Sequence, residues 1–137
     1  MWTGLSKVGN LIAETTTSLA DESTPTIGLG PFLQLFHAEK SEIIDMRLAQ
    51  DYDRLHIKDA LNVSKMEPAG TEEQLVNNLK KARNIILYSN DGVSDEMHQY
   101  ADYLHKQGIY AVFFYSGGFN EWHDAGLPVE EGNHQNQ

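Results

Sequence analysis

The chain has 137 residues, no cysteine, and twenty acidic residues against ten basic ones, for a formal net charge of −10. That length suits one domain with a single core, and the missing cysteine excludes disulfides, thiolate metal sites and cysteine nucleophiles. The charge repels nucleic acid and anionic lipid and slows anionic substrates; no basic run along the sequence reverses it.

No stretch approaches the ~18 apolar residues of a membrane span, and Lys7 is followed by no compact apolar region of a secretory signal. The expected location is cytoplasmic. Residues 1–24 read as an N-terminal extension, helical or flexible. Trp2, Leu5, Val8 and Ile12 recur there at roughly helical spacing, ahead of the polar "ETTTSLADESTPT". The extension lacks the Lys and Arg of a membrane anchor, so its alternatives are packing on the domain, fraying, or engaging a partner protein.

Residues 25–131 alternate strand and helix. "PFLQLFHAE" opens with Pro31 at a helix-start position, and Phe32, Leu35 and Phe36 form its apolar face. "EIIDM" (42–46) suits a buried strand, "LAQDYDRLHI" a polar connection with some helical character, and "ALNVS" (60–64) another strand. "TEEQLVNNLKKA" begins with Thr71 as N-cap, with acids in the first turn and lysines in the last. "NIILYS" is the clearest strand and "SDEMHQYADYLHKQG" the clearest helix, ended by Gly108. "AVFFYS" is a further strand and "GGFNEWHDAG" a last short helix, in which Gly117 and Gly118 permit a tight turn and close packing. Residues 132–137 form a loose polar tail.

Strands alternating with crossover helices predict an α/β domain with a parallel sheet covered on both faces. Sites in such sheets lie at the carboxyl ends of the strands. "LYSNDGVSD" (87–95) occupies one such end. His98, Asp102 and His105 share the helix face opposite Met97, Tyr100, Ala101 and Leu104, where a metal could in principle bind. A solvated polar surface is the expected reading, with no metal and no cofactor. Asp45 and Arg47 project from one strand end to one face, suited to a supporting ion pair or to orienting a ligand.

Three stretches together resemble the rhodanese homology domain over about Thr26 to Glu130. They are "IIDMR", with Asp45 and Arg47; "YDRLHIKDALNVS", with Tyr52, His56, Ile57, Ala60 and Asn62; and "YSGGFNEWHDAGLPVE", with Gly117, Gly118, Trp122, Gly126, Leu127 and Pro128. The resemblance implies a single domain around a mostly parallel five-stranded sheet. It also implies a cysteine that opens a six-residue loop after the central strand and carries sulfur as a persulfide, with loop amides and a helix N-terminus holding the anion. Here that loop is Ser89, Asn90, Asp91, Gly92, Val93 and Ser94, and Ser89 stands where the family has its cysteine.

A serine hydroxyl stays protonated near neutral pH unless a base removes its proton, and it yields no persulfide. Asp91, Asp95 and Glu96 surround the loop with no cation beside them, which disfavours thiosulfate and phosphate. The expected function is a domain silent as a sulfurtransferase that binds a protein partner or small ligand. The alternative is an active sulfurtransferase whose cysteine at position 89 has been exchanged for serine. A serine hydrolase would want Gly two residues either side of the nucleophile, where Leu87 and Asp91 stand. A phosphatase of this fold would want a cysteine and an arginine in a loop one residue longer.

Overall fold

The computed structural model describes residues 24–66 and 71–132. The expected N-terminal extension, except Thr24, and the expected tail, except Gly132, lie outside the described residues. The elements in chain order are β1 (Thr26–Ile27), α1 (Leu29–Phe36), β2 (Ser41–Asp45), α2 (Ala49–Arg54), β3 (His56–Ile57), β4 (Leu61–Asn62), a 3-10 turn (Val63–Met66), α3 (Thr71–Leu79), β5 (Asn84–Tyr88), α4 (Asp95–Lys106), β6 (Val112–Tyr115), α5 (Gly118–Asp124) and β7 (Val129–Glu130).

Five strands form one sheet in the order β1-β6-β5-β2-β4, and every neighbouring pair is parallel. The side chains explain why. Along β2 and β5 the period of two sends Ile44, Ile85 and Leu87 to one face and Ile43, Ile86 and Tyr88 to the other. Both faces are therefore apolar, and both need cover. The first is covered by Leu75, Val76 and Leu79 of α3 and Met97, Tyr100, Ala101 and Leu104 of α4. The second is covered by Phe32 of α1, Tyr52 of α2 and Phe119 and Trp122 of α5. Trp122 is wholly buried, and its indole N–H donates to the Pro128 carbonyl at 2.7 Å. Among the described residues no helix is long and apolar enough to cross a membrane.

Some local expectations change. The strand expected over 60–64 is only Leu61–Asn62, because its partner β2 ends at Asp45, opposite Asn62. The chain then tightens into the 3-10 turn. Helix α3 stops at Leu79, so Lys80 and Lys81 lie beyond its last turn, not in it. Pro31 is the third residue of α1; Gly28 is the N-cap, and its carbonyl accepts from Phe32 N–H at 3.1 Å. Inside "LAQDYDRLHI", His56–Ile57 pairs antiparallel with Val129–Glu130 as a separate two-stranded sheet. His98 is not simply solvated: its ring stands edge-on to Phe114 with centroids 4.9 Å apart. Among the described residues no group of three or more His, Cys, Asp or Glu could hold a metal ion.

Candidate functional site at the carboxyl end of the central strand

β5 is the middle strand of the five, and it ends at Tyr88. The next six residues carry the chain back over the sheet end and into α4. Gly92 makes the reversal with φ of +67°, a conformation that costs a side-chain-bearing residue energy. Ser94 starts the helix as N-cap, its hydroxyl accepting from Met97 N–H at 3.2 Å. Asp95 and Glu96 occupy the first turn, where the helix dipole favours acids. Val93 packs on the core beneath.

The loop is held by the start of α5. Phe119 and Asn120 donate their N–H groups to the carbonyls of Ser89 and Asn90 at 2.8 and 3.0 Å, and Gly92 N–H donates to the Ser116 carbonyl at 2.7 Å. The close approach requires Gly118: its φ is +70°, and an added Cβ would stand 2.5 Å from the Asn90 carbonyl oxygen. Gly118→Ala should therefore destabilise by about 1–2 kcal/mol from the backbone alone, and by more from the clash. Gly126 has a similar φ of +73° with open space around it. Urea denaturation of both alanine variants separates the two causes, and equal losses would mean that the loop contact is immaterial.

A cavity of about 400 Å³ opens beside Ser89. Ser89 and Asn90 line it from the loop, Arg47 and Asp51 from the end of β2 and from α2, Ser64 from the 3-10 turn, and Glu96 from α4. Met46, Leu48 and Val63 supply apolar wall, and Leu48 is exposed to solvent. Asp91 and Asp95 are exposed and stand outside this wall, so Glu96 is the one loop-flanking acid that reaches it. Asp51, Ser64 and Leu48 were not singled out from sequence: Leu48 and Asp51 precede the "YDRLHIKDALNVS" stretch, and Ser64 is its last residue without being one of its signature positions.

Behind the cavity lies a buried polar cluster. Asp45 is wholly buried and Arg47 nearly so. The Arg47 Nε donates to both Asp45 oxygens at 3.2 Å, and Nη2 donates to Asp45 Oδ2 at 2.9 Å and to the Leu55 carbonyl at 2.6 Å. Tyr88 donates its hydroxyl to Asp45 Oδ2 at 2.6 Å and accepts from Ile57 N–H at 3.1 Å. Burial and the Asp45 carboxylate push the Tyr88 phenol well above its ordinary value, so it remains a donor. Asn62 ties the end of β2 to β4, donating to the carbonyls of Asp45 and Arg47 at 3.0 and 2.9 Å. The Arg47 guanidinium also lies 4.3 Å from the centroid of the Phe119 ring.

A family model described as the rhodanese-like domain matches residues 30–125. The chain belongs to the rhodanese-like domain family. Thiosulfate sulfurtransferase GlpE of Vibrio cholerae serotype O1 is 26% identical over 99 residues, spanning 70% of this chain and 85% of that protein. GlpE of Shewanella oneidensis is 25% identical over 99 residues, spanning 72% of this chain and 92% of that protein. Two solved structures share the fold: a protein from Anabaena sp., with TM-score 0.60 and 23% identity over 77% of this chain and 80% of that one, and thiosulfate sulfurtransferase from Pseudomonas aeruginosa. The latter match has TM-score 0.60 and 20% identity; it covers 81% of this chain but only 20% of the Pseudomonas chain.

In this rhodanese-like domain, the amides of Gly92 and Ser94 are taken up internally, by the Ser116 carbonyl and by the Met97 sulfur at 3.4 Å. The loop amides of Ser89, Asn90, Asp91 and Val93 donate to no acceptor among the described residues. No described side chain is hydrogen-bonded to the Ser89 hydroxyl. Among the described residues the cavity wall thus combines two hydroxyls, an amide, two carboxylates and one guanidinium already bound to Asp45.

Proposed function

We propose that this domain is silent as a sulfurtransferase and works as a binding or regulatory module whose ligand enters the cavity beside Ser89. The observation that carries this reading is the residue at the end of the central strand. Ser89 follows the central strand, where the resemblance puts the family's nucleophilic cysteine, and a hydroxyl cannot supply the thiolate that attacks sulfane sulfur. The charges around it support the same reading. Asp51 and Glu96 face the cavity, while Arg47, the one cation there among the described residues, is committed to Asp45 and the Leu55 carbonyl. Such a wall favours a neutral or cationic group over thiosulfate. Exposed Leu48 at the rim suits a protein partner that covers the cavity.

Incubation with thiosulfate, followed by intact-mass analysis, is expected to show no gain of a sulfur atom. Addition of cyanide is expected to release no thiocyanate above the protein-free background. Thiocyanate formation at a rate comparable to a GlpE control run in parallel would overturn the proposal.

A further inference from the structure

The fold gathers positive charge that the sequence spreads out. Five of the described cations, Arg47, Arg54, Lys58, Lys65 and Lys106, are each paired with a carboxylate. The other four, Lys40, Lys80, Lys81 and Arg83, are exposed and form no ion pair with a described residue. These four collect where the chain enters β2 and β5. Arg83 N–H donates to the Lys40 carbonyl at 2.8 Å, and Lys80 and Lys81 follow the last turn of α3. The carbonyls at the end of α3 give a local reason for Lys80 and Lys81, but none for Lys40 or Arg83.

Beside this basic pole lies a second cavity, of about 380 Å³. Lys40 and Lys81 form part of its wall, and Leu61, Leu75, Leu79 and Ala82 give it an apolar floor. Glu42 lines it as well, its carboxyl pushed up from the ordinary value by burial and by Asp59. The negative charge that would oppose an incoming anion is therefore held less firmly there. The cavity is at the amino ends of the strands, and the Ser89 cavity is at the carboxyl ends. The two cavities share no lining residue among those described.

We propose that this second cavity docks an acidic peptide segment of a partner protein, seating one apolar side chain against the partly exposed Leu61 and Ala82 with flanking carboxylates on Lys40, Lys81 and Arg83. Charge complementarity selects this occupant. A nucleic acid or an anionic membrane presents charge over a far wider area than four side chains, and so it meets the remaining surface of a chain with net charge −10. A short acidic segment meets only the basic pole. The apolar floor then adds a contact that a polyanion without side chains could not use.

The test is fluorescence anisotropy with a fluorescein-labelled Glu-Glu-Glu-Leu-Glu-Glu peptide, titrated with the full chain. Saturable binding is expected, weakening with added salt. Lys81→Glu and Arg83→Glu should each weaken it by about tenfold. Lys106→Glu, an equal charge change outside the basic pole, should leave it unchanged; circular dichroism checks that all three variants fold. Equal binding of the Gln-for-Glu peptide would overturn the proposal, as would equal effects of the Lys81 and Lys106 changes. Tighter binding to phosphatidylserine vesicles or to single-stranded DNA would assign the patch to another class of ligand. Sedimentation showing a dimer that Lys81→Glu abolishes would assign it to a second copy of the chain.

Discussion

Asp45→Ala is expected to destabilise the domain by about 3–5 kcal/mol, the usual cost of stranding one partner of a buried ion pair. Asp45 is wholly inaccessible, and Arg47 is 6% exposed. The carboxylate accepts from Arg47 Nε and Nη2, from the Arg47 backbone N–H at 2.8 Å and from the Tyr88 hydroxyl. Alanine removes all of these acceptors and leaves the nearly buried Arg47 guanidinium with only the weaker influence of Asp51 as counter-charge. Arg47→Met should cost less than Asp45→Ala, because Asp45 would keep its bonds to Tyr88 and to the backbone. The double variant should recover part of the Asp45→Ala loss, with a coupling of about 1–3 kcal/mol. Urea denaturation of the four proteins measures the cycle. Additivity within about 0.5 kcal/mol would show that the pair contributes nothing as a pair.

That ion pair was legible in advance because Asp45 and Arg47 are two residues apart where β2 ends. Likewise, α4 was legible from Met97, Tyr100, Ala101 and Leu104, all of which are buried, and β5 from an unbroken apolar run. Features built from distant segments were not legible. β3 and β7 are two residues each and pair across most of the domain, so neither carries a periodic signal of its own. Ser64 reaches the Ser89 cavity where β4 pairs with β2 and Asn62 ties their ends together, and Asp51 reaches it from α2. The basic pole is the clearest case. Lys40 lies about forty positions before Lys80, Lys81 and Arg83, and the sequence contains no basic run that joins them. They meet because β2 and β5 pair in parallel, with Ser41 opposite Asn84. In a parallel sheet, residues that precede adjacent strands come together at one edge, whatever their separation in the chain.

The same geometry sets the expectation for Ser89→Cys. The chain has no cysteine, so every thiol reaction of this variant reports position 89 alone. The start of α4 lowers the thiol pKa, as helix N-termini do, but Glu96 and Asp51 raise it and also repel thiosulfate from the cavity. Arg47 offers little relief, because its charge is shared with Asp45. The thiol is therefore expected to titrate at or above the ordinary ~8.5 of free cysteine, measured by alkylation with iodoacetamide across pH. Thiosulfate:cyanide turnover should stay near background. Adding Glu96→Arg to Ser89→Cys exchanges a repelling charge for an attracting one at the cavity wall. It should lower the thiol pKa and raise turnover by about tenfold or more, at a small cost from placing a cation in the first turn of α4. If Ser89→Cys alone turns over as fast as a GlpE control, the field around the loop is still that of an active sulfurtransferase. The missing sulfur atom would then be the whole difference, and the alternative of an exchanged cysteine would replace the binding-module reading. If the paired substitution is needed, the loop has lost its electrostatics as well as its nucleophile, as expected of a cavity that takes neutral or cationic groups.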